Sequence, residues 1–183
     1  MSGRDGRVGS NRLAVKGSMR EDSTSPAPGR LVSVNVSSGG VPKRPVLTAQ
    51  ITAEGLVGDG HRYRLHGGPE RAVVLYAFER IEALRTEGHP VSIGSLGENI
   101  TVAGLDWDLI VPGVRLRTGN VVLEVTQYAT PCRTIAHCFL EGDRERVDAV
   151  RHPGWSRACA RVLSAGTVTP GDEVVILDAG SPT

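Results

Sequence analysis

Short apolar segments separated by glycine- and proline-containing turns constrain this chain more than any other feature. Glycine occurs 23 times and proline 11 times in 183 residues, which is high for a helical bundle and typical of a turn-rich β fold. Pro112-Gly113 and Pro170-Gly171 fit the central positions of type II turns, because proline presets a negative φ and glycine accepts a positive one. Gly119-Asn120 separates two apolar runs and predicts a hairpin.

The periodicity of apolar residues predicts the secondary structure of the segments between these turns. Strands are predicted at 31–36, 45–52, 71–76, around 98–102, and at 114–117, 121–126 and 173–177. A helix is predicted over 77–87, with Gly88 as its stop and a buried face formed by Ala77, Ile81 and Leu84. Residues 133–164 are predicted to be helical in pieces, with core positions at Val147, Val150, Ala158, Val162 and Leu163. This pattern indicates a mainly β fold with some α, best matched by a small mixed barrel.

One domain is predicted over residues 31–178, with tails at 1–30 and 179–183. Residues 1–30 hold no aromatic side chain and are rich in glycine, serine and charge, so they cannot bury enough surface to offset their ordering entropy. We expect a disordered tail or an overlong start ahead of Met19; the alternative is a basic interaction arm. The stretch has no continuous apolar region typical of a secretory signal.

Charge and composition restrict the binding partners, the compartment and the chemistry that are expected for this chain. The net charge is +1, which gives no general attraction to nucleic acid or membranes, and no apolar run approaches the ~18 residues of a membrane helix. Three cysteines without an export signal indicate reduced thiols in the cytoplasm. The only lysines are Lys16 and Lys43, which leaves almost no candidate for Schiff-base chemistry.

Cys132 is the first residue suited to chemistry. It lies in Thr130-Pro131-Cys132-Arg133, where a helix is expected to begin. A helix N-terminus and a neighbouring arginine lower a thiol pKa, and a thiolate is both a nucleophile and a soft metal ligand. The alternative is an inert buried cysteine, which is also our expectation for Cys138 and Cys159.

Two loops are further candidates. The segment 58–71 combines glycines, two histidines and three arginines, which favours an anion-binding loop, although a structural loop capped by Asp59 remains the alternative. Gly97-Glu98-Asn99 places a polar pair among apolar residues. It predicts either a pocket lining or a turn in which Asn99 bonds its own backbone.

These segments, in this order, resemble the MOSC domain, the molybdenum cofactor sulfurase C-terminal domain. The resemblance covers roughly residues 31–177 and rests on 55–59, 66–72, 97–101, 104–105, Gly113 and Pro131-Cys132. It implies a β-barrel with a few peripheral helices, in which Cys132 is the ligand to molybdenum of the pterin cofactor or carries sulfur. Many relatives have Gln-Pro-Arg before the Thr/Ser-Pro-Cys run, whereas Tyr128-Ala129 follow Gln127 here.

The resemblance also implies the site residues. Catalytic roles fall on Cys132 and, as a proton donor, on His66. Cofactor-binding positions are Asp59, His66, Gly67, Gly68, Arg71, Glu98, Asn99, Thr130 and Arg133. The missing arginine is expected either to weaken phosphate binding or to shift it to Arg133.

Three functions are compatible with the resemblance: reduction of N-hydroxylated compounds, sulfur transfer through a persulfide on Cys132, and a non-catalytic cofactor-binding module. Whether the protein is an enzyme stays open between a molybdenum-dependent oxidoreductase and a sulfurtransferase. The expected partners are a small-molecule substrate and a protein that donates electrons or sulfur. Pyridoxal phosphate, which belongs to a desulfurase domain of the larger sulfurases, is not expected, because lysine is nearly absent.

Overall fold

The computed structural model describes residues 27–60 and 67–178, which form a closed β-barrel with short peripheral helices. The strands are β1 Gly29–Val36, β2 Arg44–Val46, β3 Ala49–Thr52, β4 Gly55–Leu56, β5 Val73–Ala77, β6 Ile100–Ala103, β7 Arg115–Thr118, β8 Val121–Tyr128, β9 Ala158–Ser164, β10 Gly166–Val168 and β11 Glu173–Asp178. One α-helix, α1, spans Phe78–Thr86 in this part of the chain. Short 3₁₀ helices occur at Pro69–Arg71, Trp107–Leu109, Arg133–Cys138, Leu140–Gly142 and Arg144–Val147.

The barrel closes because β1 pairs with strands on both of its sides. The ring runs β1-β11-β7-β8-β9-β5-β6 and returns to β1, while β2 adds to the outer edge of β1. Strands β5 and β6 are parallel and α1 connects them, whereas the other pairs in the ring are antiparallel. A separate sheet of β10, β3 and β4 packs against the barrel. The predicted mainly β fold with a barrel and peripheral helices is confirmed.

The core fills the barrel with aliphatic side chains from alternating strand positions. Leu31, Leu75 and Leu123 are almost completely buried there. At its edge, the rings of Tyr76 and Trp107 meet edge to face with centroids 5.9 Å apart, and the Tyr76 hydroxyl donates to the backbone oxygen of Trp155 at 2.9 Å. This aromatic layer fixes the loop that leads into β9.

Several local predictions match the structure closely. The helix predicted over 77–87 is α1, and Ile81 and Leu84 are its buried residues. The Gly119-Asn120 turn joins β7 and β8 into the expected antiparallel hairpin. Two strands, β2 and β3, replace the single strand predicted at 45–52, and β1 begins two residues before Leu31.

The helical prediction for 133–164 is wrong at its C-terminal end. Residues 158–164 form β9, a strand that pairs with both β5 and β8. Of the predicted core positions, Val147 and Ala158 are buried, but Val150 is 89% exposed and Leu163 is 47% exposed. The pairing of a strand inserted between two others overrides the helix propensity of alanine, arginine and leucine.

No helix among the described residues is long and apolar enough to cross a membrane. The predicted tail over 1–30 lies outside the described residues up to position 26, and the predicted tail over 179–183 lies wholly outside them.

Candidate functional site

A cleft of about 230 Å³ opens at one end of the barrel, where β1 and β8 end and β6 and β9 begin. Its walls come from the loop after β1, the loop before β6, the segment after β8 and the first residues of β9. The lining residues are Gly40, Val41, Lys43, Gly60, Arg71, Val74, Leu96, Gly97, Asn99, Ala129, Thr130, Cys132, Thr134, Ile135, Arg157 and Cys159. Strand ends from distant parts of the sequence therefore converge on one small pocket.

Cys132 lies in this cleft, half-buried, as the residue that precedes the 3₁₀ helix Arg133–Cys138. Burial alone would raise the pKa of its thiol. Hydrogen bonds from the Thr134 hydroxyl and from the backbone N–H groups of Thr134 and Ile135 outweigh it, together with the positive charge of Arg157, and hold the pKa below its usual value. The thiolate is therefore more populated at neutral pH than in an ordinary cysteine.

The other thiols differ from Cys132. Burial raises the pKa of both Cys138 and Cys159. Cys138 lies outside the cleft lining, and its Sγ donates to the backbone oxygen of Ser95 at 3.4 Å. Cys159 is buried as predicted, yet it also lines the cleft. Cys132 is thus the thiol with the greatest nucleophilic and metal-binding character among the three.

A buried ion pair supports the wall on the β1 side. The Lys43 Nζ donates to Asp59 Oδ1 at 2.6 Å and to Oδ2 at 2.5 Å, and the side chains are only 7% and 3% exposed. Asp59 also accepts from the Ser37 backbone N–H at 2.9 Å and from Asn99 Nδ2 at 2.8 Å. Asp59 therefore joins three segments of the cleft wall but is not itself part of the lining.

Asn99 ties the same wall to the barrel. Its Oδ1 accepts from the backbone N–H of Val74 at 3.1 Å, and its backbone N–H donates to the Val74 oxygen at 2.7 Å. The Asn99 side chain thus accepts the hydrogen bond that the backbone of a neighbouring strand would otherwise accept from Val74, just before β6 begins. Asn99 lines the cleft, and its side-chain amide bonds other segments rather than its own backbone.

Arg157 lines the cleft, and Glu98 is buried close enough to interact with its charge. The Arg157 residue is 7% exposed, and its Nη1 donates to the backbone oxygen of Leu96. Glu98 is fully buried behind the cleft wall, where its Oε1 accepts from the Gly94 N–H at 2.5 Å. Burial raises the pKa of this carboxyl despite the Gly94 bond and the charge of Arg157, which favours its neutral form.

The remaining predicted site residues that the structure describes form two groups, one that lines the cleft and one that does not. Thr130 and Arg71 line the cleft, and Arg71 Nη2 donates to Gln127 Oε1 at 3.2 Å. Gly67, Gly68 and Arg133 are described but do not line it, and the Arg133 side chain is exposed to solvent. His66 lies outside the described residues.

Sequence reasoning missed Lys43, Thr134 and Arg157 as lining residues. Thr134 follows the Thr-Pro-Cys motif by two positions, so its proximity was available as a local signal. Lys43 and Arg157 reach the cleft through pairing between distant strands and loops, which a single sequence does not reveal. The clustering of basic side chains around a thiol is therefore a result of the fold.

Comparison with known protein families identifies the family of this chain. The family model described as the MOSC domain matches residues 62–175. This chain belongs to the MOSC domain family. The match confirms the resemblance inferred from the sequence motifs, and it includes both Cys132 and Arg157.

Individual relatives of this MOSC protein extend the comparison. It is 35% identical over 144 residues to the uncharacterized protein YflK of Bacillus subtilis (strain 168), covering 77% of this chain and 64% of YflK. It is 28% identical over 181 residues to a protein named reductase from Gibberella moniliformis (strain M3125 / FGSC 7600), covering 87% of this chain but 31% of that protein. The chain therefore spans less than two thirds of both curated relatives.

The solved structure of YiiM from Geobacillus stearothermophilus shares the fold of this MOSC domain. The TM-score is 0.66 at 25% sequence identity, and the aligned region covers 82% of this chain and 76% of the YiiM chain.

Proposed function

We propose that this protein binds molybdenum cofactor in the cleft, with Cys132 as the protein ligand to the metal, and reduces N-hydroxylated compounds. The observation that carries the proposal is a thiol with a lowered pKa that opens into a basic cleft of a MOSC-family barrel. The relative named reductase supports reduction as the reaction type.

The chemistry of the cleft fits this cofactor. A thiolate is a soft ligand of the kind that suits molybdenum beside a dithiolene. The lining also holds Lys43 and Arg71, which suits a cofactor that carries a phosphate. The Arg157 guanidinium, whose buried Nε has no hydrogen-bond partner among the described residues, adds a positive charge that no described carboxylate pairs with.

Each residue then has a stated task. Cys132 Sγ would bind the metal, and the N–H groups of Thr134 and Ile135 would keep that sulfur in its thiolate form. Arg71 would hold the cofactor phosphate, and Asn99 would keep the adjoining wall in place. When bound, the cofactor supplies the redox centre that delivers electrons to the N–O bond. His66 remains the predicted proton donor.

The electrons would come from a separate protein, which we propose as the main partner besides the small-molecule substrate. The three thiols are free in the structure, and we propose a reducing compartment, the cytoplasm, as the site of action.

The reductase proposal is tested by activity with an artificial electron donor. Full-length protein from a cofactor-producing host is assayed with an N-hydroxylated amidine and reduced viologen. We expect turnover in the wild type and in Cys138→Ser, whose altered thiol lies outside the cleft, and loss of turnover in Cys132→Ser. Equal turnover in both variants would contradict a role for Cys132.

Sulfur transfer is the second candidate, favoured by the accessible and acidified thiol of Cys132. In that case Cys132 would carry a persulfide, stabilised by the charge of Arg157. The Cys132 thiolate would attack the outer sulfur of a donor persulfide and release the donor as its thiolate. Mass spectrometry of protein exposed to such a persulfide would find an added sulfur atom on the Cys132 peptide but not on the Cys138 peptide. Persulfide without reductase turnover would replace the first proposal with the second.

A further inference from the structure

Arg157 has no anionic partner among the residues that the structure describes. Lys43 is matched by Asp59, whereas the Arg157 guanidinium has one hydrogen bond, from Nη1 to the neutral carbonyl of Leu96. Its Nε is buried and unpartnered among the described residues. A buried cation without a counter-ion is costly, so the side chain retains a strong capacity to bind an anion.

The backbone holds this guanidinium beside the segment that carries Cys132. The Ala129 backbone N–H donates to the Arg157 oxygen at 2.9 Å. The preceding residue, Ser156, is buried and donates through its hydroxyl to the Ala129 oxygen at 3.2 Å. The start of β9 and the segment after β8 therefore form one unit, and both Arg157 and Cys132 line its cleft.

Glu98, whose carboxyl interacts with the charge of Arg157, does not cancel that charge. Glu98 has no hydrogen bond to Arg157 among the described residues, and its Oε2 is unpartnered. Its burial favours the neutral carboxylic acid over the carboxylate. The positive charge of Arg157 is thus left for a ligand in the cleft.

We infer that Arg157 is a substrate-binding residue that receives an oxyanion of the small molecule bound beside Cys132. The inference rests on the proposed function for the identity of the cleft and adds the substrate class to it. A guanidinium binds carboxylates and phosphates through paired N–H donors. The oxyanion is therefore either a carboxylate or a phosphate group.

The test compares two alkylating reagents of similar shape, anionic iodoacetate and neutral iodoacetamide, on the full-length protein without cofactor. Peptide mass spectrometry gives the rate of alkylation at Cys132 for each reagent. Both reagents attack the same thiolate, so the ratio of their rates is independent of the thiolate fraction. A small thiol measured in parallel supplies the intrinsic ratio.

We expect Arg157→Met to lower the iodoacetate-to-iodoacetamide ratio by about tenfold, the equivalent of one charge-assisted hydrogen bond. Arg44→Met is the matched control, because Arg44 adjoins the lining residue Lys43 in sequence but is exposed and outside the lining; its ratio should stay at the wild-type value. An unchanged ratio in folded Arg157→Met, or an equal fall in Arg44→Met, would overturn the inference.

A second measurement needs no variant. Acetate and inorganic phosphate are added to the wild-type reaction, and at least one should slow iodoacetate more than iodoacetamide. The anion that acts at lower concentration identifies the oxyanion as carboxylate or phosphate. No selective inhibition by either anion would refute the site even if Arg157→Met failed to fold. Because no metal is involved, this failure is distinguishable from an absence of molybdenum.

Discussion

The buried pair of Lys43 and Asp59 makes the stability of the cleft wall measurable. Asp59→Asn removes the counter-ion of a lysine that is 7% exposed at its side chain, while the amide keeps the size of the carboxylate. Loss of one partner from a buried pair costs about 3–5 kcal/mol, because the other charge stays buried and uncompensated. For a domain of this size, that loss lowers Tm by roughly 6–20 °C.

Urea denaturation of the wild type, Asp59→Asn, Lys43→Met and the double variant measures this effect. The double variant should cost less than the sum of the single variants by at least about 1 kcal/mol, because removing both charges removes the uncompensated one. Glu82→Gln is the control, since Glu82 pairs with Arg85 on the surface with side chains 46% and 58% exposed; its cost should stay within about 0.5 kcal/mol. Additive single variants would refute the reasoning.

Three further predictions concern local features of the same region. Thr134→Val removes a hydrogen bond that lowers the Cys132 pKa, so the pH midpoint of Cys132 alkylation should move upward; a downward move would contradict this. Glu98→Gln should gain stability relative to the wild type as pH rises above about 4.5, because the folded state holds the Glu98 proton more tightly than the unfolded state. Denaturation over a range of roughly pH 4 to pH 8 would show no relative gain if Glu98 were ionised in the fold. Gly94→Ala places a Cβ 2.2 Å from the Lys43 backbone oxygen at a φ of +80°, whereas a Cβ at Gly171, with a φ of +103°, meets nothing within 4 Å. Gly94→Ala should therefore lower the free energy of unfolding by roughly 1–3 kcal/mol more than Gly171→Ala does. Equal losses in the two variants would exclude the steric contribution.

The sequence predicted those secondary-structure elements that depend on residues close to one another along the chain. The Gly119-Asn120 hairpin and α1 both follow from turn chemistry and helical spacing within a few residues. Strand β9 was not predictable in this way. Its sequence alternates weakly, and it becomes a strand because β5 and β8 both bond to it.

The residues of the candidate site also differ in whether nearby sequence was enough to predict them. Cys132 and Asn99 were found because they belong to motifs that could be read from the sequence, and both line the cleft. Arg157 has no motif around it and lies within residues 133–164, which were predicted to be helical in pieces. Asp59 was predicted to bind cofactor, but its bonds to Lys43 and Asn99 place it behind the wall, a contact that depends on three loops folding together.

The molybdenum content of the purified protein tests the central proposal most directly. Wild type, Cys132→Ala and Cys138→Ser are expressed in a host that makes the cofactor, and metal per chain is measured by mass spectrometry. We expect stoichiometric molybdenum in the wild type and in Cys138→Ser, and its loss in a folded Cys132→Ala protein. Wild-type protein without molybdenum, or Cys132→Ala protein that retains the wild-type amount, would contradict Cys132 as the ligand of a molybdenum cofactor.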